Sequence, residues 1–448
     1  MGITHQKQIK SPNPPTEVGA IPIDWEVKQL SDISDVVRGG SPRPAGDPRY
    51  FNGTFIPWLT VSSLTNIPAS EIYVSETLGN LTAEGAKHSR TLDINTLIIA
   101  NSGATLGVAK ILKIKCCAND GIAALVNVKD FDKQFICHYL NTQTKRLREV
   151  VAPGNGQPNL NTRLIGRISV PFPKPIEQTT IATALSDVDA LIVSLDALIA
   201  KKRDIRTAAI QQLLTGRRRL PSFERASVGY KQTEVGVIPE DWEVDTIGEI
   251  FNISGGFSAS RDQLGTEGHC YLHYGDIHKS AKSFVDVGAE CLDIPKLNIP
   301  LKRISSKSLL TTGDVVFVDA SEDDEGTSKH IVVINDEGIP YISGLHTIVA
   351  KSKTESLDNA YKQYCFQTRD IKRQFYFYSV GTKVSGISKA NIKRVYIPRP
   401  PIPEQRAIAA VLSEMDTDIE ALEARRDKTR DLKQGMLQQL LTGKIRLL

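Results

Sequence analysis

PIEQTTIATALSDVDALIVSLDALIAKKRDIRTAAIQQLLTGRRRL, residues 175–220, returns at residues 403–448 as PEQRAIAAVLSEMDTDIEALEARRDKTRDLKQGMLQQLLTGKIRLL. Glu177-Gln178 matches Glu404-Gln405, and Leu213-Leu214-Thr215-Gly216 matches Leu440-Leu441-Thr442-Gly443, all at one offset (404 − 177 = 440 − 213 = 227). Apolar residues recur at alternating steps of four and three: Ile181, Leu185, Val188, Ile192, Leu195 and Ile199 in the first copy, Ile408, Leu412, Met415, Ile419 and Leu422 in the second. That spacing is a helical seam of the coiled-coil kind, not a strand alternation. Prolines 173 and 175, then 400, 401 and 403, stand where a helix begins and a missing N–H costs little. Gly216 and Gly443 stand where a C-terminal cap belongs, with basic residues after them. The seam turns polar at Lys202 and Arg206, and at Arg426, Thr429 and Lys433, positions that set register at some cost in stability. Two helices of about 40 residues, each roughly 60 Å long and matched in length, read as a ruler.

Working outward, a second repeat precedes each half. TEVGAIPIDWEV (16–27) returns as TEVGVIPEDWEV (233–244), with Trp25 matching Trp242. A strand-like segment and a Gly-Gly turn follow each copy, at Gly39-Gly40 and Gly255-Gly256. Segments rich in β-branched and aromatic residues come next: Thr54–Val61, Thr96–Ala100, Val108–Lys113 and Ile122–Val128, then Cys270–Tyr274, Asp314–Val318, His330–Ile334 and His346–Ala350. Gly, Asn and Ser punctuate them, as in a mostly β domain with short helices. Each half adds an amphipathic helix, Asp132–Arg148 or Leu357–Gln374, then a loop and short helix at 154–173 or 381–400. The fold class is α+β: two β-rich domains, two long helices expected to pair antiparallel as a coiled coil, and an internal pseudo-twofold repeat. The boundaries are a disordered N-terminus at 1–15, a first domain at 16–174, the first long helix at 175–216, a basic linker at 217–232, a second domain at 233–402 and the second long helix at 403–448. Repeated ends around dissimilar middles imply a shared task at the ends and a different task in each middle.

Composition narrows the function. The 448 residues are 40% apolar and 24% charged, as in globular proteins. No apolar run reaches membrane-span length, and the first fifteen residues lack the apolar core of a signal peptide. Gln6 stands where myristoylation needs Ser or Thr. Six irregularly spaced cysteines point to a reducing cytoplasm. A net charge of +4 permits a nucleic-acid partner without demanding one.

Motifs for catalysis are incomplete. Asn13-Pro14-Pro15 lacks the aromatic residue of an adenine-methyltransferase NPPY motif and has no Gly-rich cofactor loop near it. Gly154-Asn155-Gly156 and Gly103–Gly107 end in no GK[ST] and read as turns. His269, Cys270, His273 and His278 form no complete tetrahedral ligand set and read as a strand start with imidazoles at a loop. Cys116-Cys117 reads as buried strand. The run Glu322-Asp323-Asp324-Glu325 lacks the strand-borne acid and lysine of a nuclease, and reads as a solvated loop able to accept from cytosine amino groups.

The IPxDWE pair (Ile21–Glu26, Ile238–Glu243), the PxPxxxEQ pair (Pro171–Gln178, Pro398–Gln405) and the QQLLTG pair (Gln211–Gly216, Gln438–Gly443) together resemble the specificity subunit of type I restriction-modification enzymes. The match covers nearly the whole chain. It implies two target-recognition domains, each reading one half of a split site on double-stranded DNA. It also implies helices that set the spacer and dock two methyltransferase subunits, with restriction subunits joining the full complex. No cofactor is expected in this subunit; S-adenosylmethionine, ATP and magnesium belong to its partners. The alternative is a single-chain DNA-modifying methyltransferase or nuclease, against which the incomplete motifs count. DNA contacts are expected from loop residues able to reach phosphates or base edges. In the first domain these are Arg38, Ser41, Arg43, Lys87, Arg90, Asn101, Asn155, Asn159 and Arg163. In the second they are Ser258, Arg261, His278, Lys329, Lys383, Ser385 and Lys389, with Asp276 as an acceptor. No catalytic or metal-binding residue is expected.

Overall fold

The computed structural model describes residues 16–103, 105–151, 159–224, 229–321, 328–381 and 385–447. The repeats 175–220 and 403–448 fold as two helices of 39 residues each, α1 (Pro175–Leu213) and α2 (Ile402–Leu440). Ile181, Leu185, Ile192, Leu195 and Ile199 are buried along α1, as are Ile408, Leu412 and Ile419 along α2. Burying such side chains gives each helix the tertiary support that propensity alone does not supply. Among the described residues no helix is long and apolar enough to cross a membrane.

The chain divides into two compact units, and each long helix contributes part of its length to both. The first unit holds the described residues up to Ile199 together with those from Leu422 on. Its main sheet has the order 35–38, 122–126, 97–100, 109–112, 73–74, antiparallel except for the last pair. A second sheet runs 79–81, 51–59, 116–118, 90–92, with 51–59 parallel to 116–118. Glu26–Gln29 pairs antiparallel with Ser169–Phe172 and so brings the two ends of the domain together. One core joins Leu97, Ile99, Phe135 and Leu140 to Ile181 and Leu185 of α1 and to Leu440 and Leu441. The α1 and α2 portions run in opposite directions here: Asp189 pairs with Lys433, while Asp196 meets Arg430 at 3.0 Å and Arg426 at 3.5 Å.

The second unit, Ala200–Ala421, repeats the plan. Its main sheet runs 251–255, 347–352, 315–318, 330–334, 284–286, again antiparallel except at the last pair. Glu243–Thr246 pairs with Tyr396–Arg399 as its counterpart does in the first unit. The core joins Phe251, Phe317, Phe366 and Phe375 to Ile210 and Leu213 of α1 and to Ile408 and Leu412 of α2. Lys202 meets Asp418 at 2.9 Å, Arg206 pairs with Asp416, and Tyr364 donates its hydroxyl to Asp416 at 2.9 Å. Four of the five polar seam positions, Lys202, Arg206, Arg426 and Lys433, therefore carry cross-helix ion pairs within their units, while Thr429 donates to the Arg425 carbonyl of its own helix.

Several expected elements shift. Thr54–Val61 is a strand over Phe51–Leu59, because Thr60 caps a short helix, Val61–Thr65. The helix expected over Asp132–Arg148 runs only Lys133–Thr142, followed by separate turns at Thr144–Arg146 and Leu147–Val151. Leu357–Gln374 splits into Asn359–Lys362 and Arg369–Tyr378, each begun by its own cap, Asp358 or Thr368. Cys116 and Cys117 are buried in a strand, as expected. The N-terminal residues 1–15, with Asn13-Pro14-Pro15, and the acidic run 322–325 lie outside the described residues.

Candidate nucleic-acid interface and the clamps beneath it

The repeated motifs meet at one clamp in each unit. In the first, Trp25 donates its indole N–H to Glu177 Oε2 at 3.1 Å. Arg446 bridges the same carboxylate and both oxygens of Asp24, each at 2.9 Å. In the second, Trp242 donates to Glu404 at 2.9 Å, while Arg219 bridges Glu404 (2.8 and 2.6 Å) and Asp241 (3.1 and 3.0 Å). The buried carboxylates need such partners, since an unpaired charge there costs several kcal/mol. Arg446 holds the Asp24 carboxyl below the usual carboxylate range. Glu177 and Asp24 raise the Arg446 guanidinium above its ordinary value, as Glu404 and Asp241 raise that of Arg219.

The neighbouring glutamines act locally. Gln178 accepts from Asp132 N–H and donates to the Pro173 carbonyl, both at 2.8 Å, while Gln405 accepts from Asp358 N–H and donates to Pro400. Gly216 and Gly443 take φ +67° and +66°, and a Cβ on either would strike Pro239 and Trp242, or Pro22 and Trp25. The IPxDWE, EQ and LLTG motifs are thus parts of one joint, which fastens a domain to its portion of the helix pair. Arg219 and Arg446 were not singled out in the sequence; their shared offset of 227 (446 − 219) was the available signal.

Four expected DNA-site residues of the first unit contact Asp120, which sequence reading missed, and a fifth, Arg90, joins them through Arg38. Arg38 Nε donates to the Asp120 carbonyl at 2.7 Å, Ser41 Oγ to its carboxylate at 2.7 Å, and Arg43 lies 3.6 Å from it. Arg90 donates to the Arg38 carbonyl at 2.7 Å. Asn101 donates to the Asp120 carbonyl at 3.2 Å but is only 1% exposed, so it supports the turn from below instead of standing on the surface as expected. Asn159 is exposed and bridges Ser102. Lys87 pairs with Glu84, and Arg163 stands exposed on the short helix Thr162–Gly166; among the described residues neither joins the Asp120 network. Asn155 lies outside the described residues.

The second unit gathers a different set. Arg261 donates to Asp276 Oδ1 at 3.1 Å and lies 3.2 Å from His273 Nδ1, which also accepts from Gly275 N–H. Burial first, then Arg261, pushes His273 below its ordinary value. His278 Nε2 lies 3.3 Å from the Ala320 carbonyl, and Lys329 donates to the His278 carbonyl at 2.8 Å. Tyr274 lies tilted against the His273 ring, 4.5 Å between centroids, and meets His278 and His346 edge-on. Ser258 is exposed, Ser385 lies in a strand opposite Ser321, and the Lys389 ammonium lies over Gly255. Lys383 lies outside the described residues. Cys270 is buried in the strand His269–Leu272, 3.5 Å from Cys291. Tyr274, Asp319 and His346 were not among the expected site residues.

Known proteins share this architecture. A chain of Methanocaldococcus jannaschii, provisionally named the MjaX specificity subunit of a type I restriction enzyme, is 25% identical over 463 residues and covers 96% of each chain. The MjaVIII specificity subunit of the same organism is 24% identical, over 95% of this chain and 94% of its own. The crystal structure of the S subunit of a type I restriction-modification system from M. genitalium superposes with a TM-score of 0.54 at 14% identity, over 96% of this chain and 98% of that one. A chain from a structural study of type I complex assembly gives 0.52 at 15% identity, over 95% and 99%. The family model described as type I restriction modification DNA specificity domain matches twice, at residues 22–201 and 239–429. The chain belongs to the family of type I restriction-modification specificity subunits, whose members recognise DNA and carry no catalytic role of their own.

Proposed function

We propose that each unit reads one half of a bipartite site on double-stranded DNA, and that α1 and α2 set the spacer and dock two methyltransferase subunits. One observation carries this reading: the same five-stranded sheet order and the same clamp occur twice, but the loops of the two units present Arg38, Arg43 and Asp120 in one and Arg261, Tyr274, Asp319 and His346 in the other. A shared frame with unlike side chains suits two half-sites of unlike sequence. Equal helix repeats offer two equivalent surfaces, which supports a two-to-one stoichiometry of partners. Restriction subunits complete the assembly in this reading, and S-adenosylmethionine, ATP and magnesium are carried by the partner subunits in the cytoplasm. The test is a map of methylated adenines in host DNA with and without the gene for this chain. Loss of one two-part motif is expected on deletion. An unchanged map from a host with an active methyltransferase partner would overturn the proposal.

A further inference from the structure

The two units can be aligned through backbone hydrogen bonds alone. Asn101 N–H donates to the Gly121 carbonyl at 2.9 Å, and Asp319 N–H donates to His346 at 3.1 Å. Leu160 N–H donates to Asn101 at 2.8 Å, and Ile387 N–H to Asp319 at 2.8 Å. Asn101 therefore corresponds to Asp319, and Gly121 to His346. The first unit fills these positions with a buried amide and a glycine. The second fills them with a histidine–carboxylate contact: His346 Nδ1 lies 3.1 Å from Asp319 Oδ1, with the side chains 48% and 33% exposed.

Several features mark the pair as more than a surface contact. His346 holds φ +56°, a conformation uncommon for residues with a Cβ, and one that persists where its surroundings hold it there. The edge of Tyr274 lies against its ring at a centroid distance of 5.3 Å. Arg261, Lys329 and Lys389 belong to the same unit: Arg261 is tied to the segment of Tyr274 through His273, and Lys329 is tied through His278 to Ala320, the residue after Asp319. These cations suit a phosphate backbone, whereas an exposed carboxylate is repelled by phosphates and needs another partner.

We infer that Asp319, oriented by His346, is a specificity-determining residue of the second unit and reads a cytosine in its half-site. This rests on the DNA-reading role proposed above. A carboxylate offers only acceptors. Cytosine presents a lone amino donor on the major-groove edge, whereas guanine presents two acceptors, thymine one, and adenine a donor beside an acceptor. His346 Nδ1 lies against Oδ1, and among the described residues no hydrogen bond reaches Oδ2, the oxygen that would accept from the amino group.

The test uses the complex of the full chain with its methyltransferase partner. Its probes are duplexes carrying the mapped site with each base pair of the second half varied in turn. In Asp319→Asn the shape is kept and the charge removed. At one G·C position the preference over the other three pairs should fall by about 5- to 150-fold, with other positions and the first half-site unchanged. Lys389→Ala should instead weaken binding evenly across all sequences. Unchanged preference at every position in Asp319→Asn would overturn the inference. So would loss of preference throughout the second half with the first half still read, which would make the pair part of the fold, and so would a second half-site with no fixed G·C pair. Failure of the wild-type complex to read any two-part site is a different result; it would sink the parent reading and this inference with it.

Discussion

Arg446→Ala isolates the contribution of the first clamp. The Glu177 side chain is 2% exposed and its partner Arg446 18% exposed. Removing one member of a buried pair leaves an uncompensated charge, at a cost of about 3–5 kcal/mol. The Trp25 hydrogen bond survives and water reaches the arginine side, so a loss of ~2–4 kcal/mol is expected. With a urea slope of about 2–3 kcal/mol/M, the first unit should unfold ~1 M earlier. The assay is urea denaturation followed by hydrogen exchange on peptides from each unit separately. The second unit, which has its own clamp at Arg219, should keep its midpoint. Glu177→Gln in the Arg446→Ala background should recover part of the loss, because the stranded charge is gone. A loss below about 0.5 kcal/mol, the range of an exposed ion pair, would refute the buried-charge reasoning.

Gly443→Ala places a Cβ against Pro22 and Trp25 at φ +66° and should cost ~2 kcal/mol or more, while Gly435→Ala, with open space around it, should not destabilise the chain; thermal melting compares the two. Burial, with Lys433 as a second cause, pushes His138 down to about 3. Its stabilising effect is full above about pH 6.5 and is lost as pH falls toward 3, by at most ~2–3 kcal/mol between pH 6.5 and 4.5. His138 lies buried 4.0 Å from Asp189, as Tyr364 lies beside Asp416 in the second unit, so His138→Tyr should flatten that part of a stability–pH curve. Inserting one heptad into both long helices keeps their seam and adds about 10 Å, near three base-pair steps; any regained methylation should fall on a longer spacer with both half-sites unchanged.

The parts governed by local periodicity were legible in the sequence. The step pattern from Ile181 to Ile199 gave the long helices, and the matched glycines gave their ends. Parts made by distant residues were not. Glu177 and Arg446 meet only because the helix portions run antiparallel, so nothing near either residue signals the pair. Asp120 sits in an Asn-Asp-Gly run that reads as a turn, and only the fold brings Arg38 and Ser41 to it. Asn101 looked like a surface donor because it follows an apolar strand and precedes Ser-Gly; its burial depends on the turn folded over it. The strand expected from His346 starts instead at Thr347, since the positive φ of His346 breaks the extended run.

The most direct measurement is single-molecule mapping of methylated adenines after residues 28–165 are exchanged for the same region of a related specificity subunit. Two domains that read independently predict a hybrid motif: one half new, the other half and the chain's own spacer retained. A map in which both halves change together, or neither does, would contradict the assignment of one half-site to each unit.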